Sequence, residues 1–297
     1  MSEPTLNYVS CPDARGGHRM AYWLWGRGDA PHGGLCGPGL SRPGRDFDVR
    51  AQALRARGGA DLRVVCPDVV GRGRSDWLRD PKGYQVPAYA ADMVLLLQAL
   101  QPQTLDWLGT SMGGLIGLVL AGQPAPPFPI RRLVLNDVGP AISWRAIERI
   151  GSYLGDPLRF ASVEEAAEAL RRISIGFGPH TTEQWLALTR PMLRPAPEGD
   201  GRLMLHYDPA IAVPFRALTP EGSAQGETVL WQLYDAIRAE TLLLRGTESD
   251  LFARETALAM TQRGPHARLV EFPGVGHAPT LVAEDQVRTV CDFLLGD

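Results

Sequence analysis

Short apolar runs alternate with amphipathic stretches along most of the chain, the arrangement of a parallel sheet covered by helices on both faces. Met20, Tyr22 and Leu24 alternate with polar or small neighbours, which predicts a strand over residues 18–25. Phe47, Ala51 and Leu54 share one face of a helix predicted over 46–57, and Met93, Leu96, Leu97 and Leu100 repeat at helical spacing within 86–100. Residues 63–66, 104–108 and 132–135 read as short buried strands, with an apolar helix over 112–121 between the last two.

After Asn136-Asp137-Val138-Gly139-Pro140 the rhythm changes. Residues 141–226 read as helices broken by proline- and glycine-rich loops, and they carry Trp144, Tyr153, Phe160, Phe177, Trp185, Tyr207 and Phe215. Strands then resume at 241–245 and 268–272, each followed by a helix, at 254–262 and 284–295. The expected fold class is therefore α/β, a mostly parallel doubly wound sheet. Residues 1–140 and 227–297 would form the core and 141–226 a helical cap inserted over it. A separate C-terminal domain does not fit, because the strands return after the insertion.

Composition narrows the function. The 297 residues carry 30 basic and 33 acidic side chains, a net charge of −3. Lys82 is the single lysine and the arginines are scattered, so the clustered basic footprint of a nucleic-acid binder is missing. Cys11, Cys36, Cys66 and Cys291 lack the short paired spacings of a zinc site or a disulfide framework, and free thiols in a reducing cytosol are expected. The first seventeen or so residues show no signal-peptide pattern, and the apolar run from Met93 to Leu97 is far shorter than the ~20 residues of a membrane span. A cytoplasmic protein with no nucleic-acid or membrane partner is expected, as a monomer or homodimer.

The strongest chemical signal is Gly109-Thr110-Ser111-Met112-Gly113, between the predicted strand 104–108 and the helix 112–121. A serine on such a tight turn takes strained backbone angles, the flanking Gly109 and Gly113 leave room for it, and the helix amino end favours developing negative charge. A serine hydroxyl needs a base. Of the six histidines, His277 lies in a loop directly after strand 268–272, at the carboxyl edge of the sheet where Ser111 also falls. The imidazole in turn needs an acid. Asp250 follows strand 241–245 and is the preferred acid by position; Asp137, which follows strand 132–135, and Glu248 are rivals.

The order Ser111, acid, His277, with the serine in an elbow, resembles the α/β-hydrolase family. So do Pro67-Asp68-Val69-Val70-Gly71-Arg72-Gly73-Arg74-Ser75-Asp76 and Phe272-Pro273-Gly274-Val275-Gly276-His277-Ala278-Pro279. These stretches, with Leu135 to Pro140, are most similar to the branch of 3-oxoadipate enol-lactonase-like esterases and lactonases and hydrolases of ring-cleavage diketones. The resemblance implies a serine hydrolase acting on a small-molecule carboxylic ester or lactone, without metal or organic cofactor.

It also implies an oxyanion hole made by the Met112 amide and one amide after an early strand. The family's His-Gly pair has two registers here, His32-Gly33-Gly34 or Pro38-Gly39-Leu40, and the second, which assigns Leu40, leaves room for the loop to the helix near Phe47. Cap aromatics such as Trp144, Trp185 and Phe215 could line the substrate pocket or pack the cap itself. Arg42, Arg45, Arg72 and Arg74 could clamp a substrate carboxylate, or pair with Asp46, Asp48, Asp68 and Asp76. Carbon–carbon hydrolysis of a ring-cleavage diketone would use the same residues. A ligand-binding protein with a degenerate hydrolase site is the reading from another class.

Overall fold

A computed structural model describes residues 3–12 and 16–296. The strands of its main sheet are β1 (Thr5–Cys11), β2 (His18–Trp25), β3 (His32–Gly37), β4 (Leu62–Pro67), β5 (Thr104–Thr110) and β6 (Ile130–Asn136). Two more, β9 (Glu240–Gly246) and β10 (Arg268–Phe272), follow the insertion, which holds the small hairpin β7 (Leu193–Pro195) and β8 (Leu203–Leu205). The sheet order is β1-β2-β4-β3-β5-β6-β9-β10. β1 and β2 run antiparallel to their neighbours, whereas β4, β3, β5, β6, β9 and β10 are parallel.

Alternation along the central strands builds two cores. Trp107, Leu133, Leu135 and Leu243 point to one face, and Leu108, Val134, Leu242 and Leu244 to the other. The first face is covered by α2 (Val86–Leu100) and α3 (Met112–Ala121), the second by α1 (Asp48–Gly58) and α10 (Glu284–Leu295). With both faces covered, β4, β5 and β9 are almost uninterruptedly buried, which is why the sequence shows them as apolar runs. The cap contributes α4 (Trp144–Tyr153), α5 (Val163–Ile173), α6 (Thr182–Thr189), α7 (Ala212–Arg216) and the first half of α8 (Pro220–Ala236); α9 (Arg254–Thr261) lies between β9 and β10.

Three features depart from the sequence reading. β1 is an edge strand, mostly exposed, whose mixed pattern gives no buried run to detect. β3 forms despite three glycines, because β4 and β5 pair with it on both sides and supply the ladder that its own propensity does not. The cap boundary at residue 226 falls inside α8, which runs unbroken from Pro220 to Ala236 and buries Tyr234 against the core, with the phenol donating to the Met260 carbonyl at 2.7 Å. Among the described residues no helix is long and apolar enough to cross a membrane.

Candidate active site

Ser111 sits between β5 and α3 with φ 51° and ψ −117°, a strained conformation for a residue with a side chain. Close packing makes the glycines around it obligatory. A Cβ at Gly109 would collide with the Gly113 carbonyl, and one at Gly113 with the carbonyl of Gly37 in β3. The buried Trp107 indole donates to the Gly113 carbonyl at 3.0 Å, pinning the first turn of α3 to the strand that carries the serine. The Gly114 and Leu115 amides donate to the Ser111 carbonyl at 2.9 Å and 3.0 Å, and the Met112 and Gly113 amides before them lie at the helix amino end beside the serine.

His277 completes the pair expected from the sequence. In the tautomer that suits these partners, its Nε2 accepts from the Ser111 hydroxyl at 3.0 Å and its Nδ1–H donates to Asp137 Oδ2 at 2.7 Å. Asp137 follows β6 directly, with φ 56°, and is fully buried. Its carboxylate also accepts from the Gly246 amide at 3.0 Å and the Ser249 hydroxyl at 2.6 Å. The Asn136 side-chain Nδ2 donates to the Pro279 carbonyl at 2.8 Å, tying the end of β6 to the loop that carries His277.

The acid preferred from position is therefore corrected. Asp250 lies away from the imidazole, half-exposed at 51%, and accepts from Arg149 Nε at 2.8 Å and Nη2 at 3.1 Å. Glu248 is exposed. β6 and β9 are adjacent and parallel, so both deliver an aspartate to the same edge; only the path of each loop separates them. The loop after β9 reaches the site through Gly246 and Ser249 instead, and it spends its acid on a cap arginine.

β3 ends at Gly37, whose register partner in β5 is Gly109. The chain thus leaves the sheet beside the elbow at Pro38-Gly39-Leu40. His32 to Gly34 lie at the other end of β3, where His32 Nε2 meets Asp106 Oδ2 at 2.6 Å. Leu40 and Met112 are both touched by the buried Arg72: Nε donates to the Leu40 carbonyl at 2.7 Å, and Nη2 lies 3.4 Å from Met112 Sδ.

The remaining residues divide. Trp185 is buried and stacks on Phe177, with ring centroids 5.9 Å apart, so it packs the cap from within. Phe215 and Trp144 are half-buried. The insertion reaches the loop that carries His277 through Gly176, whose carbonyl accepts from the Gly276 amide at 2.6 Å, one residue before His277. Composition gives no signal for that contact. Of the four arginines, Arg42 pairs with Asp46 and Arg45 with Asp48, Arg74 donates its backbone amide to Asp68 at 2.8 Å, and Arg72 faces no carboxylate among its described contacts.

A second grouping of possible ligand atoms, Cys11, His18 and Asp92, lies at the β1–β2 margin within 4.8 Å of one another. There Asp92 Oδ2 meets His18 Nε2 at 2.8 Å, and burial beside Asp92 pushes the Cys11 thiol up to about 12, so it stays protonated at neutral pH.

Comparison with known proteins identifies the fold. The alpha/beta hydrolase fold profile matches residues 50–283. A 3-hydroxybutyrate-oligomer hydrolase of Cupriavidus necator is 50% identical over 296 residues, 99% of each chain. A 2-hydroxymuconate semialdehyde hydrolase of a Pseudomonas species is 27% identical over 72% of this chain and 70% of its own. The crystal structure of an α/β hydrolase from Novosphingobium aromaticivorans has a TM-score of 0.85 at 35% identity, covering 99% of both chains. A strained serine at the strand–helix turn, an imidazole within reach and a buried aspartate behind it stand on that shared scaffold, and the chain belongs to the α/β-hydrolase fold family.

Proposed function

We propose that this hydrolase cleaves the ester bonds of short 3-hydroxybutyrate oligomers through an acyl-enzyme on Ser111. The unbroken path from Ser111 Oγ through His277 to Asp137 carries the reading, because it gives the hydroxyl a base and the base an anchored tautomer. The substrate class rests on the likeness to the Cupriavidus necator enzyme.

In this mechanism Ser111 Oγ attacks the ester carbonyl carbon while His277 Nε2 takes its proton. The tetrahedral oxyanion sits on the amides of Met112 and Leu40, and buried Asp137 steadies the imidazolium. The C–O bond to the leaving alcohol breaks as His277 returns the proton to it. Water then attacks the acyl carbon with His277 again as base, releasing the acid and restoring the serine.

The test is a panel of 3-hydroxybutyrate dimer and trimer, p-nitrophenyl butyrate, a lactone and a ring-cleavage dienoate, run on the parent and Ser111→Ala. The parent should turn over the oligomers and the simple ester, and Ser111→Ala should lose at least about 10³-fold in kcat with its circular dichroism unchanged. Retained turnover in Ser111→Ala would reject the acyl-enzyme. Preference for the dienoate would move the substrate class to carbon–carbon hydrolysis.

A further inference from the structure

Arg72 is fully buried, and a guanidinium taken out of water without an anion beside it is costly. Of the other buried arginines, Arg63 donates to the carbonyls of Gly28 and Leu100, whereas Arg245 meets Glu271 at 2.9 Å. The described partners of Arg72 are instead the carbonyls of Leu40 and Val70, each at 2.7 Å, and the Met112 sulfur at 3.4 Å. The rings of Tyr89 and Tyr84 lie 4.8 Å and 5.8 Å from the guanidinium carbon. One side chain therefore grips both segments that carry the oxyanion amides, the loop after β3 and the first turn of α3, with carbonyls and ring faces but no carboxylate among its described partners.

We propose that Arg72 is a positioning residue of the oxyanion hole. It holds Leu40 by its carbonyl and Met112 by its sulfur, so that their amides converge on one point. Its cation also adds positive potential beside these two segments, which favours the transition state, where negative charge develops, over the bound ester. The inference rests on the acyl-enzyme reading above. It also accounts for the Gly71-Arg72-Gly73 stretch, which brings the backbone at Arg72 beside Tyr207 of the cap through a β-bridge.

Arg50 supplies the control. It too is fully buried, but it lies near Cys36, Cys66 and Cys291 in the core on the α1–α10 face, across the sheet from α3. Arg72→Met, Arg72→Lys and Arg50→Met are compared for kcat and KM on p-nitrophenyl butyrate, with fluorophosphonate labelling to count functional Ser111 and circular dichroism to count folded protein.

Per folded molecule, Arg72→Met should lose about 10–10²-fold in kcat with KM changed less than about threefold, since only transition-state binding is weakened. Arg72→Lys, which keeps the charge but cannot span both segments, should fall between it and the parent. Arg50→Met should cost stability and leave kcat per folded molecule unchanged. A kcat for Arg72→Met within about twofold of the parent overturns the inference, as does a rise in KM alone. If Arg72→Met does not fold, Arg72→Lys decides: parental kcat rejects the role. Failure of the parent to turn over any ester would instead indict the acyl-enzyme reading, which the Ser111→Ala comparison detects separately.

Discussion

Asp137 and Asp250 present the same carboxyl group, and their surroundings make them different. The first is wholly buried, fixed by one backbone amide, one hydroxyl and the imidazole; the second is half-exposed on an arginine. An anchored anion holds the Nδ1–H tautomer and stabilises the imidazolium, whereas an exposed ion pair contributes ~0–1 kcal/mol. Asp137→Asn should therefore lower kcat by about 10³–10⁴-fold, and Asp250→Asn should stay within about threefold with little change in thermal midpoint. Steady-state kinetics on one ester checks both, and a collapse of activity in Asp250→Asn would return the acid role to the loop after β9. Ser111 was legible because a strained turn needs glycines on either side, and glycines show in a sequence. Its acid was not, because residue order does not record which of two neighbouring loops bends inward.

Among the elements, β3 and the β7–β8 hairpin depend on context most. β3 is stabilised by ladders on both sides, and the lack of side chains at Gly37 lets α3 come down onto the sheet at Gly113. The hairpin is held differently. His206, just beyond β8, accepts from the Gly73 amide through its carbonyl at 2.8 Å, while burial, with Arg194 and Arg74 nearby, pushes its imidazole down to about 4. The folded chain keeps it neutral, whereas the unfolded chain binds a proton near 6.5. The stability this contributes is complete above about 6.5 and is lost as pH falls toward about 4. With the ring half-buried and partly screened, about 1–2 kcal/mol should disappear between pH 7 and 4.5. His206→Gln, which does not titrate, should show a flatter decline in urea midpoint over that range; parallel declines would contradict the assignment.

At the scale of the whole molecule, cap and core share structure rather than merely touching. α8 begins in the cap and ends against the core, with Tyr234 fully buried. Tyr84 donates to Asp208 at 2.5 Å, the Asp208 amide to the Gly71 carbonyl at 2.7 Å, and the Gly276 amide to Gly176. A cap joined through a common helix and buried hydrogen bonds should unfold with the core in one transition. Hydrogen exchange read by mass spectrometry across a urea series should give the same midpoint for peptides from α5 and from α2. A cap midpoint well below that of the core would show an independent unit, and the boundary drawn at residue 226 would then describe the molecule better than the continuous helix does.

Local pattern alone determined the alternation of strands and helices, the elbow at Ser111, the histidine at 277 and the presence of an insertion. Each follows from short-range chemistry: a period of two or 3.6, a glycine where atoms crowd, a loop just past a strand end. Tertiary structure decided which aspartate meets His277, the strand at residues 32–37, the continuity of α8 and the grip of Arg72 on the loop at Leu40. These depend on which neighbour supplies a hydrogen-bond ladder, which carboxylate loses its water and which side chain spans two distant segments, and such relations exist only once the chain has packed.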